Sequence, residues 1–409
     1  MINKFIKYFY KMQLTFSTIL TSLLLCAPQV FAATHVLLVP KSSDIVRGLS
    51  LDTFNLEHSV EHLATFDSHT VYKCSLRVYQ MYQNTFESLY EVEVDQVVTL
   101  DPSLLDVSSP HDDYLETTLG QTPWHLDRIS KRALPLDGTY PYSQPGSCHR
   151  NSKLEINTYI VDTGIDVSHP EFQGRATWLA NFADDKQDTD CNSHGTHCAS
   201  LVGAKTYGSC KDARLFAVKV LNCQGSGSYS GIISGLDFVY KRHLEQSAKN
   251  PNVRSIMSMS LGGGKSMAIN RAVENMLKSN TMYVVVASGN ENSDACNTSP
   301  ASAKGVLTVN AMGRDDSRAY FSNFGPCSDI YSPGVDIESA VPGNKTAVYS
   351  GTSMSTPVLA GILNHYVDMY PNMNMAQIKQ KMLTDATKNA ITGNPNKRTP
   401  NLLVYLHRD

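Results

Sequence analysis

The sequence predicts an α/β protein: a doubly wound, mostly parallel sheet with helices on both faces, preceded by a small α+β unit. Three observations point there. Beyond Trp124, short continuous apolar runs recur at 159–161, 215–221, 256–261 and 283–287. Runs that are apolar on both faces suit strands buried in a parallel sheet. Helical patterns separate them, marked by Ile232, Leu236, Val239 and Tyr240, then by Ala268, Ala272, Val273 and Leu277. Strands alternating with helices imply a sheet whose functional groups gather at the carboxyl ends of its strands. Before residue 106, by contrast, 71–78 and 89–98 alternate apolar with polar side chains, as half-buried strands do.

The N-terminus begins with Lys4, Lys7 and Lys11, followed by an apolar stretch over 14–25, then Pro28 and Val30-Phe31-Ala32. This pattern reads as a secretory signal peptide over 1–32, cut after Ala32. A membrane anchor is the alternative, but the apolar run is shorter than the ~20 residues a span needs. Cys26 fits poorly as a lipid-attachment site because Leu25 precedes it. The small unit follows at 33–105, with a strand at 36–39 and a helix over 55–64. A polar, proline-containing linker is expected at 106–118. The chain thus divides into 1–32, 33–115 and 116–409. A permanent N-terminal domain is the plain alternative for the small unit.

Composition narrows the function. Across 409 residues, 42% hydrophobic and 18% charged side chains exclude disorder, collagen and coiled coil. The net charge, 35 − 38 = −3, argues against a nucleic-acid partner. That charge is unevenly spread. Residues 33–115 carry 4 basic and 13 acidic side chains, net −9, whereas 116–409 carry 28 and 25, net +3. Opposite signs suggest two parts that attract each other. Export places the cysteines in an oxidising compartment. Cys26 leaves with the signal and Cys74 lies in the acidic unit. Seven remain, and an odd count leaves at least one thiol free or in an intermolecular bond.

Three segments carry chemistry. Tyr159-Ile160-Val161-Asp162-Thr163-Gly164 places an acid at the end of a buried strand. A turn cap is the bland reading. An aspartic protease also uses Asp-Thr-Gly, but it needs two copies, and no second one exists here. Cys191-Asn192-Ser193-His194-Gly195-Thr196-His197-Cys198 resembles a zinc site in composition. In an exported chain it reads equally as a disulfide beside a helix start, with Ser193 as cap and Gly195 and Ala199 allowing close packing. Read alone, this stretch is ambiguous. Ser350-Gly351-Thr352-Ser353-Met354-Ser355-Thr356-Pro357 leads into an apolar helix, and Pro357 is tolerated in its first turn. A serine there sits beside free backbone N–H groups that can stabilise an oxyanion. A fourth segment, Val284-Val285-Val286-Ala287-Ser288-Gly289-Asn290, ends a buried strand with an amide side chain that can donate to the same oxyanion. Serine is a weak nucleophile that needs a neutral imidazole and an orienting carboxylate. These segments together supply all four groups.

Residues from about 122 to 406 resemble the subtilisin-like serine proteases, in particular the proteinase K and aqualysin branch. The order Asp, His, Ser is that of subtilisin. The resemblance rests on Val161 to Gly164, His194 to Ala199, Gly225-Ser226-Gly227, Ser260-Leu261-Gly262-Gly263, Ala287 to Asn290, and Gly351 to Met354. Thr399-Pro400-Asn401-Leu402-Leu403 is similar to the end of the family's catalytic domain. The resemblance implies that Ser353 is the nucleophile, His194 the general base and acid, and Asp162 its orienting carboxylate. Asn290 and the Ser353 N–H would form the oxyanion hole, and His197 would be structural. Gly225, Ser226 and Gly227, with Ser260, Leu261, Gly262 and Gly263, match the strands that clamp a substrate by β-addition, which favours broad specificity. Leu221, Tyr229 and Leu261 match the apolar subsites. Thr298 stands where close relatives carry tyrosine.

The same resemblance implies disulfides Cys191–Cys223 and Cys296–Cys327, each closing a loop worth about 3–4 kcal/mol. Cys198 matches the family's free thiol beneath the catalytic histidine, a mercury-sensitive position. Cys148 and Cys210 are then left to each other. A structural calcium ion is implied at the Lys304 and Val306 carbonyls and the Asp329 carboxylate. The acidic unit resembles the family's inhibitory propeptide, of α+β ferredoxin-like fold, with Val92 to Val97 preceding its cleft-binding tail. Maturation would then fall between about Asp106 and Leu119. Three departures stand near the site: Ser193 and Ser200 where the family has glycine, and Ser355 where it has alanine. Reduced or altered activity is the most they imply. The expected protein is a secreted monomeric endopeptidase, made as a self-cleaving zymogen. Its partners are polypeptide substrates and its own propeptide, with no nucleic acid, and no membrane once the signal is cut. The alternatives are a catalytically silent scaffold on the same fold and a peptide ligase using the same acyl-enzyme.

Overall fold

The computed structural model describes residues 34–41, 60–66, 69–100, 122–144, 146–149 and 153–406. The signal peptide, the linker, both domain boundaries and the 106–119 maturation interval lie outside these residues.

The N-terminal unit contains β1 (His35–Pro40), β2 (Val60–Phe66), β3 (His69–Ser75), α1 (Leu76–Met81), α2 (Gln83–Leu89) and β4 (Tyr90–Val94). Its antiparallel sheet has the order β2-β3-β1-β4. The helix expected over 55–64 is not what the described part forms, because 60–64 belong to β2. Pairing with β3 decides it, since β2 can then bury Leu63, Ala64 and Phe66. The strand expected over 71–78 stops early because Ser75 Oγ accepts from Val78 N at 3.3 Å and caps α1. One face of this sheet encloses Val36, Leu38, Cys74, Phe86 and Tyr90. The other face, with Leu37, Val39, Phe66 and Val71, joins the core of the larger domain. A short strand, β5 (Val97–Thr99), follows.

The larger domain begins with α3 (Trp124–Ile129) and β6 (Glu155–Asp162). Then come β7 (Ala176–Asn181), α4 (His194–Gly203), β8 (Arg214–Lys219), β9 (Ser226–Ser228) and α5 (Tyr229–Lys249). Next are β10 (Val253–Met259), β11 (Gly263–Gly264), α6 (Met267–Met276), β12 (Met282–Ala287) and β13 (Thr298–Ser299). The chain continues through β14 (Leu307–Met312), β15 (Ile330–Pro333) and a hairpin of β16 (Ile337–Val341) and β17 (Lys345–Tyr349). It closes with α7 (Thr352–Met369), α8 (Met375–Asp385), β18 (Thr387–Lys388) and β19 (Leu402–Leu403).

Nine strands form one sheet in the order β18-β19-β15-β14-β12-β10-β6-β8-β7. All its pairings are parallel except β18 with β19. Side chains alternate across it. Ile160 of β6 packs with Leu201 of α4 and Val358 and Ile362 of α7. Tyr159 and Val161 face Ile232 and Leu236 of α5 and Val273 of α6. Helices therefore cover both faces, and continuous apolar strands follow from that burial. From β6 the chain winds first toward β7 and β8, then across to β10, β12 and β14. The crevice beyond the carboxyl ends of β6 and β10 is thus the switch point where such sheets place their sites.

Candidate active site

Asp162 ends β6 and His194 opens α4. Gly195 lets them meet: a Cβ there would lie 2.1 Å from the Gly164 carbonyl oxygen. Only glycine allows the start of α4 to rest on the turn after Asp162. His194 Nδ1 then donates to Asp162 Oδ1 at 2.7 Å, with both side chains buried. The carboxylate keeps the proton on Nδ1 and leaves Nε2 as the acceptor. Burial alone would lower the imidazole pKa, but the Asp162 charge and the Cys198 sulfur hold it well above its ordinary value.

Ser193 makes no cap bond, contrary to expectation. It sits in the left-handed region at φ 90°, and its hydroxyl bonds the Tyr349 hydroxyl at 2.7 Å. Asp190 caps α4 instead. Its Oδ2 accepts from Thr196 N at 2.8 Å, and its Oδ1 accepts from Thr163 Oγ1 at 2.9 Å. One carboxylate thus ties the turn after Asp162 to the helix that carries His194. His197 stacks on Tyr349, and its Nε2 donates to the Ile337 and Ala347 carbonyls. Burial, reinforced by His194, pushes its pKa down to about 3, so it stays neutral. Cys198 is fully buried, its sulfur 3.8 Å from His194 Nδ1.

Ser353 lies in the first turn of α7, where backbone N–H groups lack intrahelical partners. Gly351 leads into it at φ 155°, ψ 160°, a conformation open essentially to glycine alone. Ser353 Oγ donates to the Ser260 carbonyl at 3.1 Å, and Ser260 Oγ donates to the Ser353 carbonyl at 2.8 Å. Among the described residues no hydrogen bond joins Ser353 Oγ to His194. Without a substrate such bonds are often long and tighten when one seats. Asn290 Oδ1 accepts from both Thr352 N and Thr352 Oγ1 at 2.9 Å. That clamp turns its carbonyl away and leaves the Nδ2 donors for the pocket. His194, Asn290 and Ser353 line this one pocket together with Ser260, Leu261, Gly262 and Thr298.

The N-terminal unit runs straight into the pocket. β5 pairs antiparallel with β9, Val97 opposite Ser228, Val98 opposite Gly227 and Thr99 opposite Ser226. Leu100 N then donates to the Gly225 carbonyl at 3.0 Å. On the other side, a Cβ on Gly263 would lie 3.1 Å from Val98 Cγ2. Val98 is 2% exposed, in one apolar cluster with Leu221, Tyr229 and Leu261, whereas Val97 is 68% exposed. Thr99 and Leu100 line the pocket beside His194 and Ser353. A peptide strand is thus seated between Gly225–Ser228 and Gly262–Gly264. Leu221 and Tyr229 lie beneath Val98 rather than at the serine.

Residues 159–399 match the model of the subtilase family. The chain belongs to that family. It is 41% identical over 299 residues to a subtilisin-like serine protease of Rhodotorula mucilaginosa, spanning 69% of this chain and 85% of that one. A cuticle-degrading protease of Metarhizium anisopliae is 44% identical over 283 residues, spanning 69% and 70%. Alkaline protease 2 of Aspergillus fumigatus is 40% identical over 303 residues, but the match covers only 60% of its length. A solved cold-adapted subtilisin-like serine proteinase superposes with a TM-score of 0.64 at 37% identity, covering 71% of this chain and all of that one. This subtilase is therefore a serine endopeptidase acting on polypeptides, not a silent scaffold. Among its described residues no helix is long and apolar enough to cross a membrane.

Disulfides join Cys148 to Cys210, Cys191 to Cys223 and Cys296 to Cys327, and Cys74 and Cys198 are free. With its sulfur bonded to Cys223, Cys191 cannot join His194, His197 and Cys198 around zinc. Of the three departures, Ser200 Oγ accepts from Ala340 N at 3.2 Å and Ser355 Oγ donates to the Ser332 carbonyl at 3.0 Å. Like Ser193, each buries its hydroxyl in a bond, so none adds an unpaired polar group to the site. Two of the three groups expected to hold calcium do not fit it. Val306 O and Asp329 Oδ2 both accept from Lys379 Nζ, at 2.6 and 2.7 Å, and so already hold a cation.

Three contributors went unnoticed in the sequence. Asp190 is one. Lys219 is another: fully buried, it donates to the Thr163 and Leu221 carbonyls at 2.9 and 2.8 Å and pairs with Asp185. It ties the turn after Asp162 to the segments that follow β8 and β7, and its signal was a lone charge inside an apolar run. The third is Glu291, which lines the pocket and whose carboxylate accepts from Asn323 Nδ2 at 2.6 Å.

Proposed function

We propose that Ser353, His194 and Asp162 are the nucleophile, general base and orienting carboxylate of a secreted endopeptidase made as a self-cleaving zymogen. The observation that carries this reading is the peptide strand that brings Thr99 and Leu100 into the pocket that His194, Asn290 and Ser353 line. A substrate adds as a strand to Gly225–Ser228. Backbone pairing accepts any extended chain, which gives broad specificity, while the hole that holds Val98 selects apolar side chains. Ser353 Oγ turns from Ser260 and attacks the carbonyl carbon as His194 Nε2 takes its proton. Asp162 stabilises the imidazolium. Asn290 Nδ2 and the Ser353 N–H receive the developing oxyanion. The intermediate collapses, His194 returns the proton to the leaving amine, and a water activated by the same nitrogen frees the acyl group.

His194 must be neutral to act as base, and its pKa is raised above the ordinary 6.5. It is protonated below the raised value and becomes competent as pH climbs through it. The acid limb of kcat/KM therefore lies above pH 6.5. A pH profile on a soluble peptide checks this, and a limb at or below 6.5 contradicts it.

The N-terminal unit acts as an intramolecular inhibitor. Among the described residues, two of its carboxylates dock on two helix N-termini, and no ion pair joins the units. Glu93 accepts from Ser266 Oγ at 2.7 Å, Met267 N at 2.6 Å and Ala268 N at 3.0 Å, at the start of α6. Asp95 accepts from Ser230 N at 2.9 Å at the start of α5. Anions are favoured at both positions. An extended chain gains about 3.3 Å per residue, so the bond that reaches Ser353 follows Leu100 within a few residues, ahead of the 106–119 interval that the resemblance implies. The experiment is Val98→Asp in the full chain. A carboxylate in that apolar hole would shorten the lag before peptide hydrolysis about tenfold or more. An unchanged lag would sink the inhibitor reading.

A further inference from the structure

The carbonyl of Val306 precedes β14 and Asp329 precedes β15, at the amino ends of these strands, opposite the carboxyl ends that carry the catalytic pocket. Both oxygens face α8. That helix is fixed by a capping box between Asn374 and Gln377 and by Ile378 and Met382, which are buried in the core. Its placement aims Lys379 at the two strands. Lys379 Nζ donates to Val306 O at 2.6 Å and to Asp329 Oδ2 at 2.7 Å, and the same carboxylate oxygen accepts from Thr308 N at 2.9 Å. The Asp329 and Lys379 side chains are 17% and 23% exposed, so solvent screens the pair only partly.

We propose that Lys379 is the resident cation of this site, a covalently tethered ammonium that stands where a calcium ion would otherwise bind. Calcium needs six to eight oxygens at about 2.3–2.6 Å. Here the two best donors are committed to an ammonium that also repels a divalent ion. Calcium can be diluted or chelated away; a lysine on a packed helix cannot. The ends of β14 and β15 are thus held without dependence on the surrounding calcium level.

Thermal unfolding of the full chain carrying Ser353→Ala, which suppresses self-digestion, tests this in EDTA and in calcium chloride. In that background Lys379→Met should lower Tm in EDTA by roughly 3–8 °C, and calcium should restore much of it because the freed oxygens can now bind the ion. Asp329→Asn in the same background separates this site from any other calcium site. Its Tm shift between EDTA and calcium should equal that of its Ser353→Ala parent. The proposal is overturned if Lys379→Met melts like its parent in EDTA. It is also overturned if the parent responds to calcium and Asp329→Asn removes the response. Should Lys379→Met fail to fold, the Asp329→Asn comparison decides alone.

Discussion

Replacing Ser353 with alanine should lower kcat on a peptide substrate by about 10⁶-fold. The two hydroxyls nearest to it in the site's hydrogen bonding are already engaged. Thr352 Oγ1 is committed to Asn290, and Ser260 Oγ to the Ser353 carbonyl. The fold should survive, because Ser353 Oγ makes one bond, to the Ser260 carbonyl, and its loss costs about 1 kcal/mol. The residual rate should exceed the uncatalysed one, since Asn290 and the helix N-terminus still polarise a bound carbonyl. Turnover within tenfold of wild type would mean that another group is the nucleophile.

Asp162→Asn should cost about 10⁴-fold in kcat, less than loss of the serine but with a second signature. Asp162 Oδ1 accepts from both His194 Nδ1 and Thr163 N, so an asparagine oxygen can keep that geometry. What disappears is the negative charge that stabilises the imidazolium. With burial no longer opposed by that charge, the His194 pKa should fall and carry the acid limb of the pH profile downward. The variant, matured in trans by wild-type enzyme, should therefore lose least at acid pH. An acid limb that stays in place would show that Asp162 does not set the charge of His194.

The parts of the molecule that the sequence revealed are those whose information is local. Four strands of the central sheet, β6, β8, β10 and β12, each coincide with one short apolar run. Asp162, His194, Asn290 and Ser353 each sit in a motif of a few residues at such a run's end or at a helix start. What stayed hidden depends on partners distant in sequence. Asp190 caps α4 while bonding Thr163, 27 residues away. Lys379 meets Asp329 and Val306 across 50 and 73 residues, and a helix lysine read alone is a solvated charge. The segment at 55–64 has helical spacing, yet its described part is a strand because β3 offers hydrogen-bond partners that no periodicity records. The opposite net charges of the two units were visible in the composition. Their meeting through helix N-termini was not, and among the described residues no salt bridge joins the units. The fully buried Cys198 was identified by its motif, and its contact with the imidazole follows from helix geometry, since His194 and Cys198 lie four residues apart on α4.

The most direct measurement is the intact mass of chain 33–409 over time, wild type beside the Ser353→Ala variant. The wild type should shed an N-terminal fragment ending just past Leu100, while the variant stays whole. That result would tie nucleophile, cleft-bound strand and maturation to one site. Identical cleavage of both proteins, or of neither at alkaline pH, would contradict the account.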